Sequence, residues 1–172
     1  MAASLSDFWR RYHEFFDVND GSLPEVRFED VADRNLPRLF AFVCANAERL
    51  SDSGFWHLEE QRDVQLRDVP NPALLVAEGT AEAFHFVASG LTVGKAQLPE
   101  IGVFVARGEF ALDYQPGPEW DQTTVLRFLS LICQLRKLAP EARVTTEPHV
   151  VDEYRLAFER EVMQFCDRDA AI

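Results

Sequence analysis

The chain has 172 residues and a mass of 19.6 kDa, the size of one globular domain over residues 1–172. Apolar residues make up 47% and include 14 Phe, which excludes a disordered chain. Acidic residues outnumber basic ones 29 to 17, a net charge of −12, which argues against binding nucleic acid or an anionic membrane.

The start, Met1-Ala2-Ala3-Ser4-Leu5-Ser6, leads into no apolar leader core, and no apolar run reaches about 18 residues. A cytoplasmic protein without a membrane span is therefore expected. The first helix is predicted from Ser6, as N-cap, to Asp17, because Phe8, Trp9, Tyr12, Phe15 and Phe16 recur at helical spacing. A second follows Asn35 as cap, with Pro37 tolerated in its first turn. Leu36, Leu39, Phe40, Val43, Ala47 and Leu50 line its apolar face.

The middle of the chain changes to period two. Trp56–Glu59, Val64–Val69, Leu74–Glu78 and Ala83–Ala88 read as strands. Ile101–Ala106 and Glu109–Tyr114 flank Arg107-Gly108, the length of a two-residue hairpin turn. A third helix is predicted from Asp121 to before Pro140, apolar over so much of its circumference that it must pack on more than one side. Ala142–Thr146 could add an edge strand. The last helix is expected from Val150 to Asp167, with Val151, Tyr154, Phe158, Val162 and Phe165 inward. Leu156 and Met163 lie a heptad apart on its other side, where they would cover the first helix or face a second copy of the chain. Helices, then a mostly antiparallel sheet, then helices make an α+β fold, with the helices on one face of the sheet.

Signatures of catalysis are missing. There is no G-x-S-x-G nucleophile motif. Gly90–Ala96 looks like a phosphate loop but is one spacer short, with Ala96 where Ser or Thr would hold Mg²⁺. Cys44, Cys133 and Cys166 are far apart within helical patterns, so free core thiols in a reducing compartment are expected. Of the four histidines, His57 shares a strand face with Glu59, and His149 stands near Asp152 and Glu153. Neither spacing is diagnostic, so no metal or other cofactor is expected. His85 lies between Phe84 and Phe86 and should point away from their face. Glu78, Glu82 and Asp113 interrupt apolar runs, as residues of a solvated sheet face do.

One segment is suited to recognition: Asp113-Tyr114-Gln115-Pro116-Gly117-Pro118-Glu119-Trp120-Asp121. Its two prolines limit the entropy lost on binding, and Tyr and Trp are residue types that anchor interfaces. Asp113, Tyr114, Glu119, Trp120 and Asp121 are the predicted partner contacts.

The stretch Leu98-Pro99-Glu100-Ile101-Gly102-Val103-Phe104-Val105, continued by Phe110-Ala111-Leu112-Asp113-Tyr114 and Gly117-Pro118-Glu119-Trp120 and then an amphipathic helix, resembles cytoplasmic immunity proteins of bacterial toxin systems. The likeness spans about residues 98–145 and is one of style. It implies a small acidic α+β protein that binds a toxin and covers its active site. The expected function is a non-catalytic inhibitor of a cognate toxin with a basic surface. Two alternatives stand beside it: a small enzyme or ligand-binding domain using Glu78, His85 or Asp113 in a pocket between helices and sheet, and a homodimer formed through Leu156 and Met163.

Overall fold

The computed structural model describes residues 5–146 and 152–169. In chain order the elements are α1 (Leu5–Tyr12), α2 (Glu14–Asp17), β1 (Glu25–Glu29), α3 (Leu36–Asn46), β2 (Arg49–Leu50), β3 (Gly54–His57) and β4 (Arg62–Gln65). They continue with α4 (Pro72–Glu78), β5 (Phe84–Ser89), β6 (Thr92–Val93), β7 (Ala96–Gln97), β8 (Ile101–Ala106), β9 (Glu109–Tyr114), α5 (Gln122–Leu138), β10 (Arg143–Thr146) and α6 (Asp152–Asp169).

Among these residues, six strands form one antiparallel sheet in the order β10-β1-β9-β8-β5-β2. Two further hairpins, β3–β4 and β6–β7, stand as separate two-stranded sheets. Period-two alternation sorts the large sheet into two faces. Val26, Phe28, Phe84, Phe86, Val103, Val105, Phe110, Leu112 and Tyr114 are buried on one. Paired residues carry that face across the strands, as in Phe86↔Val103, Val103↔Leu112 and Val26↔Leu112. Helices close over it: Phe40 of α3 meets Phe84 and Phe86 with ring centroids 5.9 and 5.5 Å away. Phe158 of α6 packs on Phe8, Tyr12, Phe15 and Phe16 from the N-terminal helices. The expected α+β class and the hairpin around Arg107-Gly108 are both present, with Gly108 at a φ of +79° that favours glycine.

Several elements differ from expectation. Leu74–Glu78 is part of a helix, not a strand. Pro72 opens the helix, Gly79 closes it in the left-handed region, and Ala73, Val76 and Ala77 bury at i, i+3 and i+4. The first helix is broken at His13 into α1 and α2. The second ends at Asn46, and Leu50 belongs to β2 instead. Asn35 is helical and makes no capping bond; its Nδ2 donates to Glu141 Oε1 at 2.6 Å. The strand expected over Val64–Val69 stops at Gln65 and turns through a short 3₁₀ segment, Leu66–Asp68. β1, which interposes between β9 and β10, carries charge at every second position and had shown no strand signal.

The cysteine reading also changes. Cys133 and Cys166 form a disulfide that ties α5 to α6, with Cα atoms 4.9 Å apart. Only the fold could reveal this, since 33 positions separate the two residues in sequence. Such a bond persists in oxidising surroundings and is reduced in a reducing cytoplasm. Cys44 stays a free thiol, pushed up to about 11 by burial. On α6, Met163 packs against the core while Leu156 is exposed, so the two do not share one exposed apolar face. The start expected for this helix at Val150, and the His149 site, lie outside the described residues.

Candidate partner interface

The segment predicted to carry the contacts divides in two. Trp120 is 0% exposed and Tyr114 is 4% exposed, so neither ring presents a surface. This corrects their reading as anchors. The physical reason is an aromatic cluster: Phe16 stacks on Tyr114 with centroids 5.3 Å apart, and Trp120 lies 4.7 Å from Tyr114 and 5.3 Å from Phe128. Both polar tips are satisfied internally. The Tyr114 hydroxyl donates to Phe15 O at 3.1 Å, and Trp120 Nε1–H donates to Gln115 O at 2.9 Å. Burial holds the Tyr114 hydroxyl far above the ordinary tyrosine range. The Gly/Pro loop is pinned to α2 by Gly117 N–H donating to Phe16 O at 2.8 Å.

The carboxylates of the segment have other fates. Asp121 is the N-cap of α5, accepting from Thr124 N–H at 2.7 Å. That backbone bond holds its carboxyl below the usual carboxylate range. Glu119 is exposed, and its carboxylate folds over Gly117, where a Cβ would come within 2.7 Å of it. Asp113 has the opposite parity to Tyr114 and points to the other side of the sheet, which no helix covers among the described residues. The placement of Tyr114 was legible: it continues the Phe110, Leu112 alternation, and Asp113 has the opposite parity.

The uncovered face is built from alternate residues of five strands. Asp113 pairs with Glu25 on one side and with Gly102 on the other. A Cβ at Gly102 would lie 2.1 Å from Asp113 Oδ1, so only glycine lets this carboxylate lie across β8. It reaches His85 on β5, whose Nε2–H donates to Asp113 Oδ2 at 2.7 Å. His85 is exposed, as its sequence parity predicted. Around this pair, Arg27 Nε lies 2.7 Å from Glu25 Oε2 and 3.7 Å from Glu109 Oε1, and Arg143 pairs with Glu29. Four carboxylates thus face two guanidiniums and one imidazole. Phe104 and Ala111 pair with each other at the centre.

A His–Asp pair is the orienting half of a nucleophilic triad. Among the described residues, no hydroxyl or thiol is hydrogen-bonded to the His85 ring. Glu78 sits exposed on a helix and does not join the pair. A cavity of about 1170 Å³ opens between α1–α2, α6 and β1, lined by Arg11, His13, Phe15, Tyr114, Arg155 and Phe158 among others. Glu78, His85 and Asp113 are absent from its lining. Deep in the packing beside it, the Tyr12 hydroxyl is pushed up to about 12, first by burial and then by the Glu161 carboxylate it bonds at 3.2 Å. Among the described residues there is no cluster of three or more His, Cys, Asp or Glu side chains fit for a metal, and no helix long and apolar enough to cross a membrane.

Neither a family model nor a curated protein matches the sequence. Solved structures do match. One is a chain from the 1.75 Å crystal structure of the toxic C-terminal tip of CdiA from Pseudomonas aeruginosa in complex with its immune protein. It superposes with a TM-score of 0.50 at 19% identity, over 73% of this chain and 86% of that one. A Pseudomonas aeruginosa T6SS protein superposes with a TM-score of 0.39 at 14% identity, over 83% of this chain and 49% of that one. At these identities the first likeness concerns the fold, and the second carries no argument.

Proposed function

We propose that this chain is a non-catalytic immunity protein, which binds a cognate bacterial toxin and blocks it by covering its surface or active site. The likeness of its fold to a chain from a toxin–immune protein complex carries this reading. The net charge of −12 supports it, because enzymes that act on nucleic acids or nucleotides present cationic clefts. An acidic protein meets such a cleft quickly and is disfavoured by anionic partners. The uncovered sheet face around His85 and Asp113, with Glu25, Glu29 and Glu109, has the mixed charge of a protein contact, and the exposed Glu119 lies in the loop that follows β9.

The test is direct. The chain is co-expressed with the toxin domain encoded beside its gene, and growth and complex formation are followed. Rescue of growth and a complex of fixed stoichiometry are expected. Unrescued toxicity with no complex would sink the proposal, as would turnover of a small molecule that is lost on His85→Ala.

A further inference from the structure

With Trp120 enclosed, the exposed tryptophan of the chain lies on the β3–β4 hairpin. The β3–β4 hairpin buries one face and exposes the other. Phe55 and Val64 pair across it and are buried, while Trp56 and Asp63 pair across it and face outward. Trp56 is 38% exposed, and Leu58, two residues on, is 42% exposed. Trp9 is half-buried and Trp120 is enclosed, which leaves Trp56 as the exposed indole. Tryptophan is the residue type most enriched among binding hot spots.

Charge surrounds this ring. Glu59, Glu60, Asp63 and Glu82 are all exposed on or beside the hairpin, against Arg62. Glu82 lies next to Trp56, since its N–H donates to Trp56 O at 3.0 Å.

The tip is held in one shape. Glu60 N–H donates to His57 Nδ1 at 3.3 Å, and Arg62 Nε–H donates to Glu60 Oε2 at 2.6 Å. Leu58 N–H donates to Thr80 O at 2.9 Å, fixing the hairpin against the segment that joins α4 to β5. Gln61 occupies the left-handed region at φ +50°, a conformation unfavourable for a residue with a Cβ. A pre-ordered tip loses little entropy when it docks.

We propose that the β3–β4 hairpin is a finger that inserts Trp56 and Leu58 into a cationic cleft of the partner toxin, with Glu59, Glu60 and Asp63 meeting the basic side chains of its rim. This rests on the immunity reading and adds the β3–β4 hairpin to its contact surface. Trp56 supplies the desolvated anchor. The carboxylates steer the approach and select a basic partner over other apolar grooves.

The experiment measures binding of the full chain to the catalytically inactivated toxin domain encoded by the adjacent gene, at two salt concentrations. Trp56→Ala should weaken the dissociation constant by about 30-fold or more, mostly through faster dissociation. Glu59→Gln/Glu60→Gln/Asp63→Asn should slow association by about tenfold at low salt and flatten its salt dependence. Both variants should melt like the parent, because the altered side chains are exposed. Parent-like affinity and salt dependence in both variants would overturn the finger while leaving the immunity reading intact. No binding by the unaltered chain, or no toxin gene beside it, would overturn both.

Discussion

The segment 113–121 and the β3–β4 hairpin carry nearly the same chemistry, a tryptophan near several carboxylates, and use it in opposite ways. In the first, Trp120 closes a four-ring cluster with Phe16, Tyr114 and Phe128, and Asp121 is consumed as a helix cap. In the second, the inner pair Phe55 and Val64 already anchors the hairpin, so Trp56 is left outside. Composition was the same guide to both. What separates them is whether a facing element offers aromatic surface to complete a packing. An aromatic next to Pro and Gly at the junction of a strand and a helix tends to find such a surface, because the junction lies where two layers of the fold meet.

The contrast can be broken most directly by truncating the two tryptophans. Trp120→Ala should cost about 3–5 kcal/mol of unfolding free energy, since it opens a cavity at the cluster. Trp56→Ala should cost less than about 1 kcal/mol, as expected for an exposed side chain. Chemical denaturation checks both, and equal losses would erase the distinction.

The next largest effect concerns the disulfide between α5 and α6. Reduction of Cys133–Cys166, or Cys133→Ala, should cost about 3 kcal/mol by freeing the chain between α5 and α6. Melting with and without reductant reads this, and the variant should no longer respond to reductant.

A smaller effect lies on the uncovered sheet face. Gly102→Ala should destabilise by about 1–3 kcal/mol, because the new methyl meets the Asp113 carboxylate. Asp113→Ala should relieve most of that cost in the double variant, and additive losses in the cycle would show that the collision is unimportant. Asp121→Ala should cost about 1 kcal/mol as a lost cap. The sign of its pH dependence follows from the lowered carboxyl. Its contribution is present above the unfolded value near 4 and is lost as pH falls through the lower folded value. Between about pH 5 and pH 2, Asp121→Asn should flatten the acid side of the stability profile relative to the parent.

Much of the architecture was readable because its signals are local. The hairpin at Arg107-Gly108 is marked by a turn of the right length between two alternating runs, and α5 by Asp121 before a broadly apolar helix and Pro140 after it. Leu74–Glu78 misled because a short apolar run has no period of its own; the flanking Pro72 and Gly79 were the better signal. β1 escaped notice because Glu25, Arg27 and Glu29 leave only Val26 and Phe28 to mark it. Of the five predicted contacts, Glu119 is exposed, Asp113 is half-buried and bonded to His85, Asp121 has a capping role, and Tyr114 and Trp120 are core.

The order of amino acids by itself determined the α+β class, the alternation that puts Tyr114 inside and His85 outside, and a strongly acidic surface. Those properties depend on neighbours two to four positions apart and on total charge. Only the tertiary structure decided which tryptophan stays exposed, that Cys133 meets Cys166, and that Asp113 crosses Gly102 to reach His85. Each of these joins residues dozens of positions apart, and no local pattern records which distant surface a side chain will find when the layers close.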